Sequence, residues 1–145
     1  MSAIAQDAAS EAGFVRGAPA TILRLEGLVV LAGAVLAYQH LAASWWMFAV
    51  LFLTPDLMML GYLAGPRIGA VCYNLAHSYL GPALLAAASL WRGEGLGLQL
   101  SLIWAAHVGF DRMLGYGMKY GTGFGHTHLG LKGKAAQAAE KPLPA

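Results

Sequence analysis

The chain has 145 residues, of which 58% are hydrophobic and only 11% are charged, and its net charge is +2. Soluble domains carry about 25% charged residues, so the charges here are too few to cover a soluble globule, and the high hydrophobicity excludes a disordered chain. The small net charge gives no indication of nucleic-acid binding. The single cysteine, Cys72, excludes an internal disulfide and a zinc site built from cysteines. These features predict a small integral membrane protein whose partner is the lipid bilayer.

A polar segment comes first and four apolar stretches follow it. Residues 1–20 are small and polar, and they lack the basic start and apolar core of a cleaved signal peptide. The stretches cover about residues 22–39, 44–64, 68–91 and 96–118, each close to the ~20 residues that cross a hydrocarbon core. Their connections are short, so consecutive stretches must be antiparallel. We therefore predict an all-α fold, a four-transmembrane-helix up-down-up-down bundle within residues 21–120.

The chain changes character after the fourth stretch. Residues 121–130 are rich in glycine and contain two histidines, which predicts a loop, and residues 131–145 are typical of a disordered tail. Basic residues near the ends of the stretches predict the orientation. One side carries only Arg92, and the other side carries Arg16, Arg24, Arg67, Arg112, Lys119, Lys132 and Lys134. Both termini and the 121–130 loop are therefore predicted to be cytoplasmic.

Five ionisable residues interrupt the apolar stretches, and every stretch contributes at least one. They are Glu26, Asp56, His77, His107 and Asp111. A charged group at the bilayer centre costs about 2.5–3.5 kcal/mol. A rise of about 1.5 Å per residue places all five in the cytoplasmic half, within a slab about 10 Å thick. We expect these side chains to point into the bundle and meet in a polar cavity.

The residue types in this group are those of a metal site. His107 and Asp111 are four residues apart and share one face of a helix. Two imidazoles and up to three carboxylates, with no thiolate, suit Zn²⁺, Mn²⁺ or Fe²⁺. The predicted ligands of this divalent metal are Asp56, His77, His107 and Asp111. Glu26 is the predicted fifth ligand or catalytic general base, and an ion with an open position would activate water for hydrolysis.

Supporting residues are harder to choose from the sequence. Asn74, Tyr116 and His128 are the candidates for hydrogen bonds to the ligands. The ligands also have other interpretations: Asp56 could cap a half-helix that begins after Pro55, and Glu26 could form an ion pair with a basic residue. In that ion pair the basic residue would be Arg67 or Arg112.

Two alternative functions use the same five residues. His77 and His107 lie at matched depth on antiparallel helices, so they could be the axial ligands of a b-type haem. The group could also have no enzymatic role and form hydrogen-bonded ion pairs. These pairs would serve helix packing, or the passage of protons or small solutes.

Several short strings resemble a known family of membrane proteins. They are LEG at 25–27, PDL at 55–57, NLAHSY at 74–79, HVGFDR at 107–112, LGYG at 114–117 and THLG at 127–130. From about residue 23 to residue 130 the chain resembles the small bacterial membrane proteins of domain of unknown function 4260. The resemblance implies a four-helix protein of the bacterial inner membrane and assigns no activity.

A second likeness is confined to motifs. Pro55-Asp56, His77-Ser78 and the pair His107 and Asp111 are similar to motifs of membrane-bound metal-dependent hydrolases of the YdjM type. This likeness implies metal-dependent hydrolysis of a lipid-like or membrane-proximal substrate.

Overall fold

The computed structural model describes residues 13–136, which are mostly helical, as predicted. The helices are α1 (Gly17–His40), α2 (Trp45–Leu51), a 3-10 helix (Thr54–Ala64), α3 (Pro66–Ala76), α4 (Leu80–Arg92) and α5 (Gly95–Leu114). An antiparallel hairpin follows, with strands β1 (His126–Thr127) and β2 (Gly130–Leu131). Residues 1–12 of the predicted polar segment and residues 137–145 of the predicted tail lie outside the described residues.

Two of the predicted stretches are each divided into two helices. The second stretch breaks after Leu51, where Pro55 lacks the N–H that would continue the helix. The Thr54 hydroxyl donates to the Leu51 carbonyl at 2.7 Å, which satisfies a carbonyl at the break. The third stretch breaks at His77, and Pro82 lies in the first turn of α4. Both breaks lie beside predicted metal ligands, so irregular backbone borders the site.

The helices pack in pairs, and glycine allows the closest approach. α1 packs along α5, the 3-10 helix along α3, and α4 along α5. Where α1 crosses α5, a Cβ on Gly27 would lie 2.8 Å from the Gly109 carbonyl oxygen, and a Cβ on Gly109 would lie 2.7 Å from the Gly27 carbonyl oxygen. Only glycine at both positions allows this contact between backbones. The crossing holds α1 against the part of α5 that carries two of the predicted ligands.

Large apolar side chains are exposed on several helices. In α1 the buried residues are Gly27, Ala34 and Tyr38, whereas Leu63 and Trp91 are 88% and 91% exposed. Within the described residues, Gly17–His40 and Trp45–Ala64 are long and apolar enough to cross a membrane. Apolar surface of this extent needs cover from lipid or protein. The two apolar helices suggest association with a membrane.

The start of the described chain is joined to the C-terminal hairpin. The Val15 N–H donates to the His128 carbonyl at 2.8 Å, and the Tyr120 hydroxyl donates to the Gly13 carbonyl at 2.7 Å. The Lys132 N–H donates to the carbonyl of Gly125 at 2.8 Å. The sequence predicted a loop at 121–130 without the hairpin, because strands of two residues are too short to show an alternating pattern.

Candidate metal centre

Four of the five predicted residues lie together. Asp56 comes from the first turn of the 3-10 helix, His77 from the end of α3, and His107 and Asp111 from α5. One ligand atom of each lies within 4.8 Å of those of the other three. Both histidines are 1% exposed, whereas the Asp56 side chain is 32% exposed. The cluster is therefore closed around its imidazoles and open beside Asp56.

The distances between these atoms have the size expected of an ion's ligand set. His77 Nε2 lies 3.2 Å from Asp56 Oδ1, 3.5 Å from Asp111 Oδ2 and 3.2 Å from His107 Nε2. His107 Nε2 lies 3.5 Å from Asp56 Oδ1. Donors bound at about 2.1 Å to a tetrahedral ion are about 3.4 Å apart. The two separations of 3.2 Å also lie within the range of ordinary hydrogen bonds.

The backbone selects the tautomer of His77. Its Nδ1 lies 2.9 Å from the Tyr73 carbonyl oxygen, which can only accept, so Nδ1 carries a proton. Nε2 of the neutral ring then presents its lone pair to the carboxylate oxygens of Asp56 and Asp111. Acceptors that face one another repel unless a cation lies between them. The cluster could therefore hold a cation, either a metal ion or a proton.

Packing holds the second imidazole. The His107 ring lies edge-on to the rings of Phe52 and His77, with centroids 5.3 and 5.1 Å away. Its Nδ1 is buried and has no hydrogen-bond partner within residues 13–136. Ring contacts, not a hydrogen bond to Nδ1, therefore set the direction of His107 Nε2.

Tyr73 contacts two of the four residues and was not among the predicted candidates. Its hydroxyl donates to Asp111 Oδ2 at 3.0 Å, and its ring stacks on the His77 ring with centroids 3.7 Å apart. The available signal was spacing, because residues four apart on a helix share one face. That signal alone does not reveal the hydroxyl's partner on α5.

Glu26 lies apart from the cluster, contrary to its predicted role as fifth ligand or general base. It is exposed on α1 and is not in the group of four. The reason is the crossing of α1 and α5, where the neighbouring Gly27 occupies the contact face. Within the described residues no ion pair joins Glu26 to Arg67 or Arg112. Arg112 donates instead to the carbonyls of Tyr116 and His77, each at 3.0 Å.

The three predicted supporting residues make no hydrogen bond to the ligands within the described part of the chain. Their hydrogen bonds instead hold the segment that follows α5. The Asn74 side chain donates to the Lys119 carbonyl at 2.8 Å and accepts from the Lys119 N–H at 2.7 Å. His128 Nδ1 accepts from the Met118 N–H at 2.8 Å. Tyr116 is 41% exposed, and its carbonyl accepts from Arg112.

A buried ammonium group lies close to the cluster. Lys119 is 5% exposed, donates to the Phe124 carbonyl at 2.9 Å and lies 4.5 Å over the centre of the Tyr73 ring. Burial lowers the pKa of Lys119, and the negative charges of Asp111 and Asp56 oppose that change. The two carboxylates therefore favour the charged form of a lysine that burial disfavours.

The alternatives for the ligands fit this geometry less well. The 3-10 helix begins after Leu53 and has no side-chain cap, so Asp56 does not cap it. A haem would need its macrocycle between His77 Nε2 and His107 Nε2, which are 3.2 Å apart. Asp56 Oδ1 lies within 3.5 Å of both nitrogens and would block the ring. The residues present do not fit a haem with these two axial ligands.

An apolar cleft of about 310 Å³ lies beside the cluster. Its walls include Pro55 and Ala76, which directly adjoin Asp56 and His77 in the chain. The indole N–H of Trp104 donates to the carbonyl of Ala76 and fixes one wall. The other lining residues are Leu51, Thr54, Met58, Leu85, Leu100 and Ile103.

Comparison with known proteins gives one match. A family model described as Domain of unknown function (DUF4260) matches residues 20–131, which is most of the chain. No curated protein and no solved structure matches. The description of the family assigns no activity.

Proposed function

This chain belongs to the DUF4260 family, and we propose that it is a membrane protein of four spans that binds one divalent metal ion. The proposed ligands are Asp56, His77, His107 and Asp111. Zn²⁺, Mn²⁺ and Fe²⁺ all suit this set of two nitrogens and two carboxylate oxygens.

The spacing of the donor atoms carries this proposal. Four of the six separations between donors are 3.2–3.5 Å, which is close to the ~3.4 Å expected around a tetrahedral ion with bonds of about 2.1 Å, and all four ligand atoms lie within 4.8 Å of one another. The lone pair of His77 faces carboxylate oxygens, an arrangement that a central cation stabilises. Two carboxylates, two neutral imidazoles and a divalent ion also sum to zero charge. A neutral centre lowers the cost of placing these groups inside a membrane.

The proposed topology is up-down-up-down in the bacterial inner membrane, with both termini cytoplasmic. Exposed apolar side chains on the helices support the membrane location. Hydrogen bonds between residues 13–15 and the hairpin region support placing the two chain ends on the same side. The excess of basic residues near those ends supports a cytoplasmic side.

The reaction that we propose is hydrolysis of a lipid-like substrate. Such an ion, when bound, polarises an ester or phosphoryl group and makes a bound water more acidic. Asp56 is the more exposed carboxylate, so it is placed beside the opening where a proton could be taken from water. The apolar cleft next to Asp56 and His77 would hold the apolar part of the substrate.

Elemental analysis of the purified protein tests the metal site. The protein is purified in mild detergent, supplied with Zn²⁺, Mn²⁺ or Fe²⁺, and examined by absorption spectroscopy. We expect about one ion per chain, lost in His107→Ala and retained in His40→Ala. His40 is the matched control because it is exposed at the end of α1.

Two outcomes would overturn the proposal. A folded protein that takes up no metal after supplementation would favour a proton in the cluster, and with it helix packing or solute passage. A Soret band that disappears in His107→Ala would replace the metal ion with haem.

A further inference from the structure

We infer that Tyr73 is the positioning residue of the metal centre, because it fixes one ligand on α3 and another on α5. This inference rests on the proposed metal site. Tyr73 is 3% exposed and makes a separate contact with each of the two ligands. No other described residue outside the cluster forms hydrogen bonds to the side chains of two of its members.

The first contact is made by the backbone. The Tyr73 carbonyl accepts from His77 Nδ1 at 2.9 Å, which directs Nε2 of His77 towards the other three residues. A metal-bound imidazole commonly donates its second N–H in this way, and the partner fixes both tautomer and ring direction. Here the partner lies one helical turn earlier, so α3 itself orients its ligand.

The second contact is made by the hydroxyl. It donates to Oδ2 of Asp111 at 3.0 Å, and the same oxygen lies 3.5 Å from His77 Nε2. The hydroxyl therefore holds the very oxygen that faces the centre. Without this bond, the Asp111 carboxylate could rotate about its side-chain torsions and would no longer have a fixed direction towards the centre.

Tyr73 is itself held in place. Its ring stacks on His77 at an interplanar angle of 10°, and the Lys119 ammonium lies 4.5 Å over the ring. The Asn74 side chain donates to the Lys119 carbonyl and accepts from the Lys119 N–H, which fixes the backbone of Lys119. A rigid support of this kind distinguishes a positioning residue from a tyrosine that only fills space.

Replacement of Tyr73 by phenylalanine isolates the hydroxyl, because the carbonyl bond to His77 remains. Tyr62→Phe is the matched control, since the Tyr62 hydroxyl is buried and has no hydrogen-bond partner within residues 13–136. The probe is Co²⁺, titrated into metal-free protein in detergent and followed by its visible absorption band. We expect Tyr73→Phe to weaken Co²⁺ binding about 10–100-fold and to shift the band. Tyr62→Phe should change neither.

The outcomes separate this inference from the proposed function. If the wild-type protein binds no Co²⁺, Zn²⁺, Mn²⁺ or Fe²⁺, the metal site itself is wrong. If it binds Co²⁺ and Tyr73→Phe matches it in affinity and spectrum, the site stands and the role of Tyr73 is wrong. Should Tyr73→Phe not fold, 3-fluorotyrosine at position 73 keeps the shape and makes the hydroxyl a stronger donor. That replacement must shift the Co²⁺ band, and an unchanged band would also overturn the inference.

Discussion

The Nε2 atoms of His77 and His107 lie 3.2 Å apart, although 30 positions separate the two residues in the chain. One comes from the break that ends α3, and the other from the middle of a continuous helix, α5. Because α3 ends there, His77 sits where the direction of the chain changes, and its backbone carbonyl is free to accept from Arg112 at 3.0 Å. The break and the contact with Arg112 together hold the two imidazoles against each other.

Metal should stabilise the folded protein. An ion present at 100 times its dissociation constant adds about 2.7 kcal/mol to the free energy of unfolding. Thermal unfolding in detergent should therefore move to higher temperature when Zn²⁺ is added, and return when a chelator removes it. Asp56→Asn should abolish the shift. Glu26→Gln, the same change at a carboxylate outside the cluster, should keep it, and equal effects of the two substitutions would contradict this site.

The crossing of α1 and α5 should not tolerate a side chain. In Gly109→Ala the new Cβ would lie 2.7 Å from the Gly27 carbonyl oxygen and 2.8 Å from the Leu31 nitrogen. Backbone atoms cannot move aside cheaply, so we expect a loss of about 1–3 kcal/mol in the free energy of unfolding. Gly33→Ala is the control in α1, where nothing lies within 4 Å of the new atom. Equal stability of the two variants would show that the helices are not in close contact.

The break in the second stretch should depend on Thr54. Its hydroxyl donates to the Leu51 carbonyl at 2.7 Å, and Thr54→Val keeps the shape while removing the donor. A backbone carbonyl left without a partner where water cannot replace the donor costs about 1–3 kcal/mol, which chemical unfolding in detergent can measure. Thr21→Val, where the hydroxyl makes a longer contact of 3.4 Å with the Gly17 carbonyl, should cost much less. A neutral Thr54→Val would mean that another group satisfies Leu51.

Acid should weaken the hairpin region through His128. Burial lowers the pKa of His128 below 6.5, and the positive charge of Arg112 lowers it further. The unfolded chain therefore takes up the proton first, and stability is lost as the pH falls below about 6.5. Protonation of Nδ1 would also remove the acceptor for the Met118 N–H.

The pH dependence can be assigned by substitution. His128→Asn keeps an acceptor that does not titrate, so the loss of melting temperature between pH 7.5 and pH 5.5 should be smaller than in the wild type. His126→Asn, two residues away in the same hairpin, should leave the loss unchanged. A wild-type pH profile in His128→Asn would assign the acid sensitivity to other groups.

Reporter fusions should show both termini in the cytoplasm. A fluorescent protein fused after residue 145 should be bright, and alkaline phosphatase at the same point should be inactive. Alkaline phosphatase inserted between Arg92 and Gly95 should be active. That connection belongs to the side with a single basic residue, Arg92, which the orientation rule places outside the cytoplasm. Active phosphatase at the C-terminus would contradict the proposed orientation.

The positions of the helices were largely predictable because apolar length sets them. The predicted stretches at 22–39 and 96–118 correspond to α1 and α5, with ends that differ by at most five residues. The two breaks depend on local chemistry that hydrophobicity does not register. A proline lies at each break, Pro55 at the first and Pro82 just after the second, and a proline removes a hydrogen bond of the helix.

The depth of each residue in its apolar stretch predicted the four members of the cluster, but it also included Glu26, which is not in the group of four. Counting residues along each stretch placed Glu26 near the other four. Depth does not fix the direction in which a side chain leaves the helix, and neighbouring residues point about 100° apart. Gly27 takes the face that meets α5, so Glu26 faces outward. The role of Tyr73 could not be predicted either, because its hydroxyl donates to Asp111, 38 positions away on another helix.

The packing of α1 against α5 joins the first and the last of the α-helices named above, which are far apart in the chain. A ribosome makes the chain from its N-terminus, so α1 is synthesised well before its main partner exists. His107 and Asp111 also arrive with α5, after Asp56 and His77 have already been made. The four ligands therefore cannot come together until α5 has been made, and an ion bound by all four would be loaded only after that point. A chain truncated before α5 would have neither a partner for α1 nor more than half of the ligands.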